Sequence, residues 1–181
     1  EAGYGPNLGP LVVAATAWRV DGAAADADAV LEATAAGLRG AADRPLWADS
    51  KQVLRGAAGF AALEMGAMVG LAIAGGTVPT EWRGLAAAAG LGMIEPTAED
   101  AALAALALPL EREATAVAAR AADVRDWLAR HRVTLEAVRV RVVQPSEFNA
   151  LLDRGLNKSD LLSQVTLELA ALLQASAGGP A

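Results

Sequence analysis

The chain has 181 residues, enough for one domain with its own hydrophobic core. Hydrophobic residues make up 54% of the sequence, a globular composition that excludes an intrinsically disordered chain. Cysteine is absent, which excludes disulfides and thiolate metal sites and fits the reducing cytoplasm, where we expect the protein to lie. The net charge of -6 lacks the overall basic character of most nucleic-acid-binding proteins, but it leaves room for a local basic patch.

The first segment of the chain, EAGYGPNLGPLVVAA, places an acid before a loop rich in glycine and proline and then an apolar stretch. Glycine adopts backbone conformations that other residues avoid and lets another backbone approach closely. Such a loop can present peptide groups and a carboxylate to a phosphate chain. The β-branched and apolar residues that follow predict a strand over 11–20, and Asp21-Gly22 indicates a turn.

The middle of the chain is predicted to be mostly helical. A helical spacing of apolar residues predicts a helix over 27–38, and Leu46-Trp47-Ala48 indicates a short buried strand end. Asp49 or Ser50 can cap a helix that follows. Further helices are expected over 82–94, 101–108 and 110–131.

The stretch 56–78 is the most apolar part of the sequence and raises the question of a membrane span. Glu64 lies in its middle and glycine is frequent, so a helix buried in the core is favoured, ended by Pro79. We therefore expect no stable membrane association.

Valines alternate with Arg139 and Arg141 over 138–142, which predicts a strand with one basic face. Gln144-Pro145 ends this strand, and Ser146 begins a turn or short helix. A helix is predicted over 157–173. These elements predict one mixed α/β domain over 1–174, followed by a loop or linker tail over 175–181.

Only two of the 15 basic residues are lysines, and both lie in polar clusters at predicted helix starts. Lys51 belongs to Asp49-Ser50-Lys51, and Lys158 belongs to Asn157-Lys158-Ser159-Asp160. A helix N-terminus is a favourable site for an anion, so Ser50, Lys51, Asn157 and Lys158 are candidate phosphate contacts. The alternative is that both clusters simply cap their helices.

Three segments, in this order, resemble the type 2 ribonucleases H, the family of ribonucleases HII and HIII. Glu1–Ala15 resembles the family's Asp-Glu-Ala-Gly strand end, its Gly-Arg-Gly or Gly-Lys-Gly step and its Gly-Pro-led strand. Trp47–Lys51 resembles the Asp-Ser-Lys motif, and 138–158 resembles a strand, an acidic turn and an Asn-headed helix. Tyr4 departs from the family because it stands where the family has Arg or Lys.

The resemblance implies an α/β ribonuclease H-like fold, with a mixed sheet flanked by helices, and a two-metal endonuclease that cleaves the RNA strand of RNA–DNA hybrids. It implies that Glu1 is a catalytic ligand of Mg²⁺ or Mn²⁺, because hard oxygen ligands suit these ions. Gly3, Tyr4 and Gly5 match the family's step that reads the RNA 2′-hydroxyl, and Asn7 is a further candidate contact. The alternative is that the three-residue step and Asn7 only form a structural turn.

The family's other catalytic acids are expected immediately before Glu1 and after Ala181, so we expect a truncated, divergent member that is inactive as this chain alone. Two other classes stay open. One is a non-catalytic nucleic-acid-binding relative, and the other is a structural or membrane-associated helical protein.

Overall fold

A computed structural model describes residues 9–23, 26–40, 46–91 and 106–176. Within these ranges the chain forms a mixed α/β structure of two strands and seven helices. Their order is β1 (Leu11–Val20), α1 (Ala27–Gly40), α2 (Ser50–Val53), α3 (Gly59–Gly75), α4 (Trp82–Ala88), α5 (Ala114–Arg130), β2 (Val133–Val143), α6 (Pro145–Asp153) and α7 (Lys158–Ser176).

The two strands pair antiparallel along their whole length, from Leu11 opposite Val143 to Val20 opposite Val133. The register shifts between Ala17 and Trp18, and Glu136 forms the bulge. The strand predicted over 138–142 is thus the second half of a longer one. The sheet of the described residues is two-stranded and antiparallel, so a mixed sheet is not what these residues form.

Helices cover both faces of the sheet. Successive side chains of a strand point to opposite faces, so each face presents its own apolar residues to the helices. Val133, Val138 and Val140 pack into a core with the buried residues of α3 and α5. Leu11 and Val143 lie on the other face, where they pack against α7. That helix buries one residue per turn, namely Leu161, Val165, Leu169 and Leu173.

Helix α3 is a core helix. Val69 in its middle is fully buried. The helix ends at Gly76, whose φ of 81° is the left-handed conformation that favours glycine, and so it ends before Pro79. No helix among the described residues is long and apolar enough to cross a membrane.

Glu64 has a structural role within this apolar helix. Its carboxylate accepts hydrogen bonds from the backbone N–H groups of Leu110 and Glu111, the latter at 2.8 Å. These contacts hold the segment before α5 against α3. The helix predicted from residue 110 consequently begins only at Ala114, so that part of the prediction was wrong.

Three other predicted elements differ from the structure. Residues 46–48 form a bend and not a strand end, because the Trp47 indole N–H donates to the Gly66 carbonyl at 2.9 Å. Helix α4 ends at Ala88, and Ala107 forms an isolated bridge with Glu81 where a helix was predicted. Residues 92–105, which carry the rest of those two predictions, lie outside the described part of the chain.

Helix α7 extends to Ser176, so the first two residues of the predicted tail are helical. The remainder of that tail, residues 177–181, lies outside the described residues.

Two glycines of α3 provide a test of how closely the bend packs. A Cβ added at Gly66 would lie 2.6 Å from the Leu46 carbonyl oxygen, whereas one at Gly70 would meet only the Trp47 ring, at 3.9 Å. We predict that Gly66→Ala lowers the free energy of unfolding by about 1–3 kcal/mol through overpacking. Gly70→Ala, the matched control, should raise it by up to about 1 kcal/mol through helix propensity. Urea unfolding of both variants tests this, and equal stabilisation by both would contradict the described packing.

Candidate nucleic-acid interface

Five of the predicted site residues precede the described part of the chain, which begins at Gly9. They are Glu1, Gly3, Tyr4, Gly5 and Asn7. The metal-ligand role of Glu1 and the RNA-reading role of the glycine loop therefore stay predictions. The structure does show where this loop joins the fold.

The loop joins the sheet at Leu11, the first residue of β1. Leu11 pairs with Val143, the last residue of β2, and Gln144-Pro145 then leads into α6. The register thus places the end of the glycine loop beside the start of the 144–158 segment. Two of the three segments that carry the family resemblance meet at one end of the sheet, although they come from opposite ends of the sequence.

Asn157 is the N-cap of α7. Its Oδ1 atom accepts a hydrogen bond from the Asp160 N–H at 2.9 Å, and the Asp160 carboxylate accepts one from the Asn157 N–H at 3.1 Å. This reciprocal pair is a capping box, which satisfies two backbone donors of the first helical turn. Asn157 therefore fixes where α7 begins, and its predicted phosphate contact remains untested.

Lys158 lies at the same end of the sheet. Its Nζ atom is 5.9 Å from the centroid of the Phe148 ring, an arrangement typical of a cation–π contact. Phe148 is 2% exposed and belongs to the cluster that contains Leu11 and Val143. The ammonium group is consequently held near the point where the glycine loop joins β1.

The Asp49-Ser50-Lys51 cluster lies elsewhere. Asp49 caps the short helix α2, since its Oδ1 atom accepts a hydrogen bond from the Lys51 N–H at 2.9 Å. Helix α2 packs against α3, on the sheet face opposite α7. The preceding Trp47 contacts Trp18 edge-on, with 5.8 Å between ring centroids.

Trp18 lies seven residues along β1 from Leu11. At about 3.4 Å per residue, this separates the Trp18–Trp47 contact from the end of the glycine loop by roughly 24 Å. The structure therefore places Asn157 and Lys158 at the end of the sheet where the loop joins β1, but it attaches Lys51 to the opposite face of the sheet. The sequence alone could not separate the two lysines, because both lie in similar helix-start clusters.

Arg139 and Arg141 were recognised as a basic strand face but were not assigned to the site. They lie on the face of the sheet that α7 covers. An Arg139 Nη donates to the Ser176 hydroxyl at 3.2 Å, and Arg141 forms an ion pair with Glu147 at 2.5 Å. The alternation of Val and Arg over 138–142 was the signal that could have included them.

The described residues do not supply a two-metal centre. No group of three or more His, Asp or Glu side chains within 9–23, 26–40, 46–91 and 106–176 could hold a metal ion. Two divalent ions need several carboxylates around them. Glu1 is one such carboxylate, and it lies outside the described residues.

A separate cleft of about 560 Å³ lies along β2, between its residues 136–139 and the segment from Ala74 to Ala88. Glu136 in its wall accepts a hydrogen bond from Arg19 at 2.8 Å, and Asp21 pairs with the same guanidinium at 2.5 Å. These carboxylates, Glu136 first, raise the pKa of the exposed Arg19. None of the predicted site residues in the described part of the chain lines this cleft.

Comparisons with models of protein families, with curated proteins and with solved structures returned no match.

The two roles of Asn157 can be separated by substitution. Aspartate caps a helix about as well as asparagine, whereas alanine does not. We predict that Asn157→Ala lowers the free energy of unfolding by about 1 kcal/mol and that Asn157→Ser has little effect on stability. If Asn157 also contacts phosphate, Asn157→Asp should leave stability intact but weaken RNA–DNA hybrid binding, measured by fluorescence anisotropy. If Asn157→Asp binds the hybrid as tightly as the unmodified chain, Asn157 acts only as a helix cap.

The lysines are tested by the salt dependence of hybrid binding. The logarithm of the binding constant falls as the logarithm of the salt concentration rises. Each phosphate contact that is lost should make this slope shallower by roughly 0.7–0.9. We predict this loss for Lys158→Ala. The sequence predicts it for Lys51→Ala as well, but the structure attaches Lys51 to the opposite face of the sheet, so there we expect no loss. Arg83→Ala, on α4, removes the same charge and is the matched control. A Lys158→Ala slope equal to that of the control would show that Lys158 only forms part of a helix start, and a reduced slope for Lys51→Ala would contradict the placement of the interface.

Proposed function

We propose that this chain is a ribonuclease HII/HIII-like domain that binds RNA–DNA hybrids and belongs to a metal-dependent endonuclease acting on the RNA strand. One observation supports the proposal above the others. The register pairs Leu11, the first strand residue after the glycine loop, with Val143, from which the chain leads on to Asn157 and Lys158. In the proposal, the first and third of the segments that suggested the family form one surface.

The third segment contains the strand and the Asn-headed helix that the resemblance implies, with helix α6 between them in place of an acidic turn. A strand ends at Val143, α6 follows, and α7 begins directly after Asn157 as an Asn-headed helix. The first turn of α7 carries the positive end of the helix dipole, and Lys158 is the first residue of that turn. The proposed interface therefore combines loop peptide groups, a helix N-terminus and a lysine, all of which favour phosphate oxygens.

Recognition of RNA is assigned to the glycine loop. In the proposal, Gly3, Tyr4 and Gly5 lie against the sugar that carries the 2′-hydroxyl, the group that distinguishes RNA from DNA. Tyr4 can stack or donate one hydrogen bond, but it supplies no positive charge. The loop accordingly provides shape and hydrogen bonding, and Lys158 provides the charge.

The metal chemistry rests on the resemblance alone. Mg²⁺ or Mn²⁺ bound at Glu1 and further carboxylates would activate water and stabilise the leaving oxygen. The described residues add no group of three acids or histidines, so we derive no catalytic step from this chain. A non-catalytic hybrid-binding relative is the second candidate.

Binding selectivity tests the proposal. Duplexes of one sequence, prepared as RNA–DNA hybrid, DNA–DNA and RNA–RNA, are titrated with the 181-residue chain at fixed low salt. We expect the hybrid to bind most tightly, because the interface reads both the RNA sugar and the duplex shape. Equal affinity for hybrid and DNA–DNA duplexes would contradict the proposal.

Cleavage is measured on the same hybrid with Mn²⁺, comparing the chain with its Glu1→Gln variant. One assigned carboxylate is too few for two divalent ions, so the expected result is binding without cleavage. Cleavage that is lost in Glu1→Gln would instead show a working metal centre at the glycine loop. Cleavage that persists in Glu1→Gln would show that Glu1 does not bind the catalytic metal ions.

Tyr4 predicts the preferred substrate. Because it lacks the charge of the Arg or Lys found in the family, the chain should favour hybrids with several consecutive ribonucleotides over a single ribonucleotide within DNA. Tyr4→Arg should narrow this difference, and Tyr4→Phe, the matched control, should not. Anisotropy titrations with both substrates check this, and tighter binding of the single ribonucleotide by the unmodified chain would refute it.

A further inference from the structure

We infer that Arg141 is an additional phosphate contact of the proposed interface and that Glu147 holds it in a competing ion pair until nucleic acid binds. The inference rests on the proposed function, because it extends the same surface. It assigns a role to the basic strand face, which the sequence resemblance leaves unassigned.

Arg141 lies near the end of the sheet at which Leu11 pairs with Val143. It pairs with Val13, two residues after the position where the glycine loop joins β1. Strand alternation places its side chain on the same face as Leu11 and Val143, the face on which Lys158 begins α7. A duplex that contacts the loop and Lys158 would therefore pass close to this guanidinium.

The ion pair of Arg141 can be exchanged. An Arg141 Nη contacts Glu147 Oε1 at 2.5 Å, and the other Nη donates to the Val142 carbonyl at 2.6 Å. The two charged side chains are 41% and 40% exposed, so water screens their attraction and the pair contributes little to stability. A phosphate group can accept two parallel hydrogen bonds from the planar guanidinium, which a single carboxylate oxygen does not.

The neighbouring Arg139 is less suited to this role. It donates to the Ser176 hydroxyl at 3.2 Å and to the Val138 carbonyl at 2.9 Å. Its side chain also lies against Gly90, where an added Cβ would be 2.6 Å from the Arg139 Cδ atom. These contacts tie Arg139 to the C-terminal ends of α4 and α7, away from the start of α7.

The local charge supports an anionic partner. Residues 139–160 contain four basic and three acidic side chains, whereas the rest of the chain contains eleven basic and eighteen acidic ones. This segment is therefore the less acidic part of an acidic protein. Neutralising Glu147 would make residues 139–160 more basic relative to the rest of the chain, at the interface itself.

The test is a double-mutant cycle. Glu147→Gln removes the competitor of Arg141 and keeps the shape of the side chain. Asp153→Asn, the matched control, removes one negative charge from the same helix, α6. Arg141→Ala and the double variant Glu147→Gln with Arg141→Ala complete the set. Thermal unfolding by circular dichroism confirms that each variant is folded.

Affinity is measured for the RNA–DNA hybrid, for a DNA duplex of the same sequence and for heparin, a sulfated polymer without nucleic-acid shape. We expect Glu147→Gln to bind the hybrid roughly threefold more tightly, with a salt slope steeper by roughly 0.7–0.9. Asp153→Asn should show a smaller gain, and the double variant should lose the gain. Arg141→Lys keeps the charge but not the planar fork, so in the Glu147→Gln background it should give an intermediate affinity.

Three results would overturn the inference: equal gains in Glu147→Gln and Asp153→Asn, a gain that survives in the double variant, or no binding to any of the three anions. Failure of the proposed function has a different signature. If the cycle shows coupling on all three ligands without preference for the hybrid, Arg141 is an anion contact and hybrid recognition is wrong. If the hybrid is preferred but the cycle shows no coupling, only the role of Arg141 is wrong.

Discussion

The pairing of β1 with β2 is the constraint on which the rest of the structure depends. These strands come from opposite ends of the sequence, and their register sets which side chains share each face. A shift by one residue would move every side chain to the other face and would remove Val133 and Val143 from their cores. The same register pairs Leu11, where the glycine loop joins the sheet, with Val143, just before α6, so the fold and the proposed interface have one common cause.

The two faces of this sheet have different roles. On one face, α3 and α5 build the larger core, in which Glu64 ties the 110–111 backbone to α3. On the other face, α7 packs through a narrow apolar stripe whose first buried residue, Leu161, joins Phe148 and Leu11. The proposed interface is at the edge of this second, smaller core. Its geometry therefore depends on the capping box that fixes where α7 begins.

Local signals in the sequence predicted local features of the fold. The β-branched residues of 11–20 predicted β1, and the Asn157–Asp160 spacing was consistent with the capping box found there. Features that depend on distant contacts were missed. The segment before α5 resembles a helix in isolation, but Glu64 binds its backbone N–H groups. The first half of β2 was missed because Glu136 forms a bulge, which interrupts the alternation of apolar and polar residues.

For the candidate site too, local features could be predicted from the sequence but contacts between distant segments could not. The residue types at the glycine loop and at Asn157-Lys158 suggested phosphate contacts, but the pairing of Leu11 with Val143, on which the proposed interface rests, follows from the strand register, which periodicity does not reveal. The sequence also could not separate Lys51, whose helix packs with α3 on the opposite face of the sheet. Arg141 was recognisable in the sequence as part of the basic strand face, but its ion pair with Glu147 is visible only in the structure.

The central claim is that both ends of the sequence form one nucleic-acid interface. Amide hydrogen exchange of the chain, with and without a saturating RNA–DNA hybrid, tests it most directly. The account predicts that peptides covering the glycine loop with the start of β1, and peptides covering 144–162, become protected together. Peptides from the centre of α3 should be unchanged. Protection confined to the cleft between 74–88 and 136–139, or protection of only one of the two segments, would contradict the account.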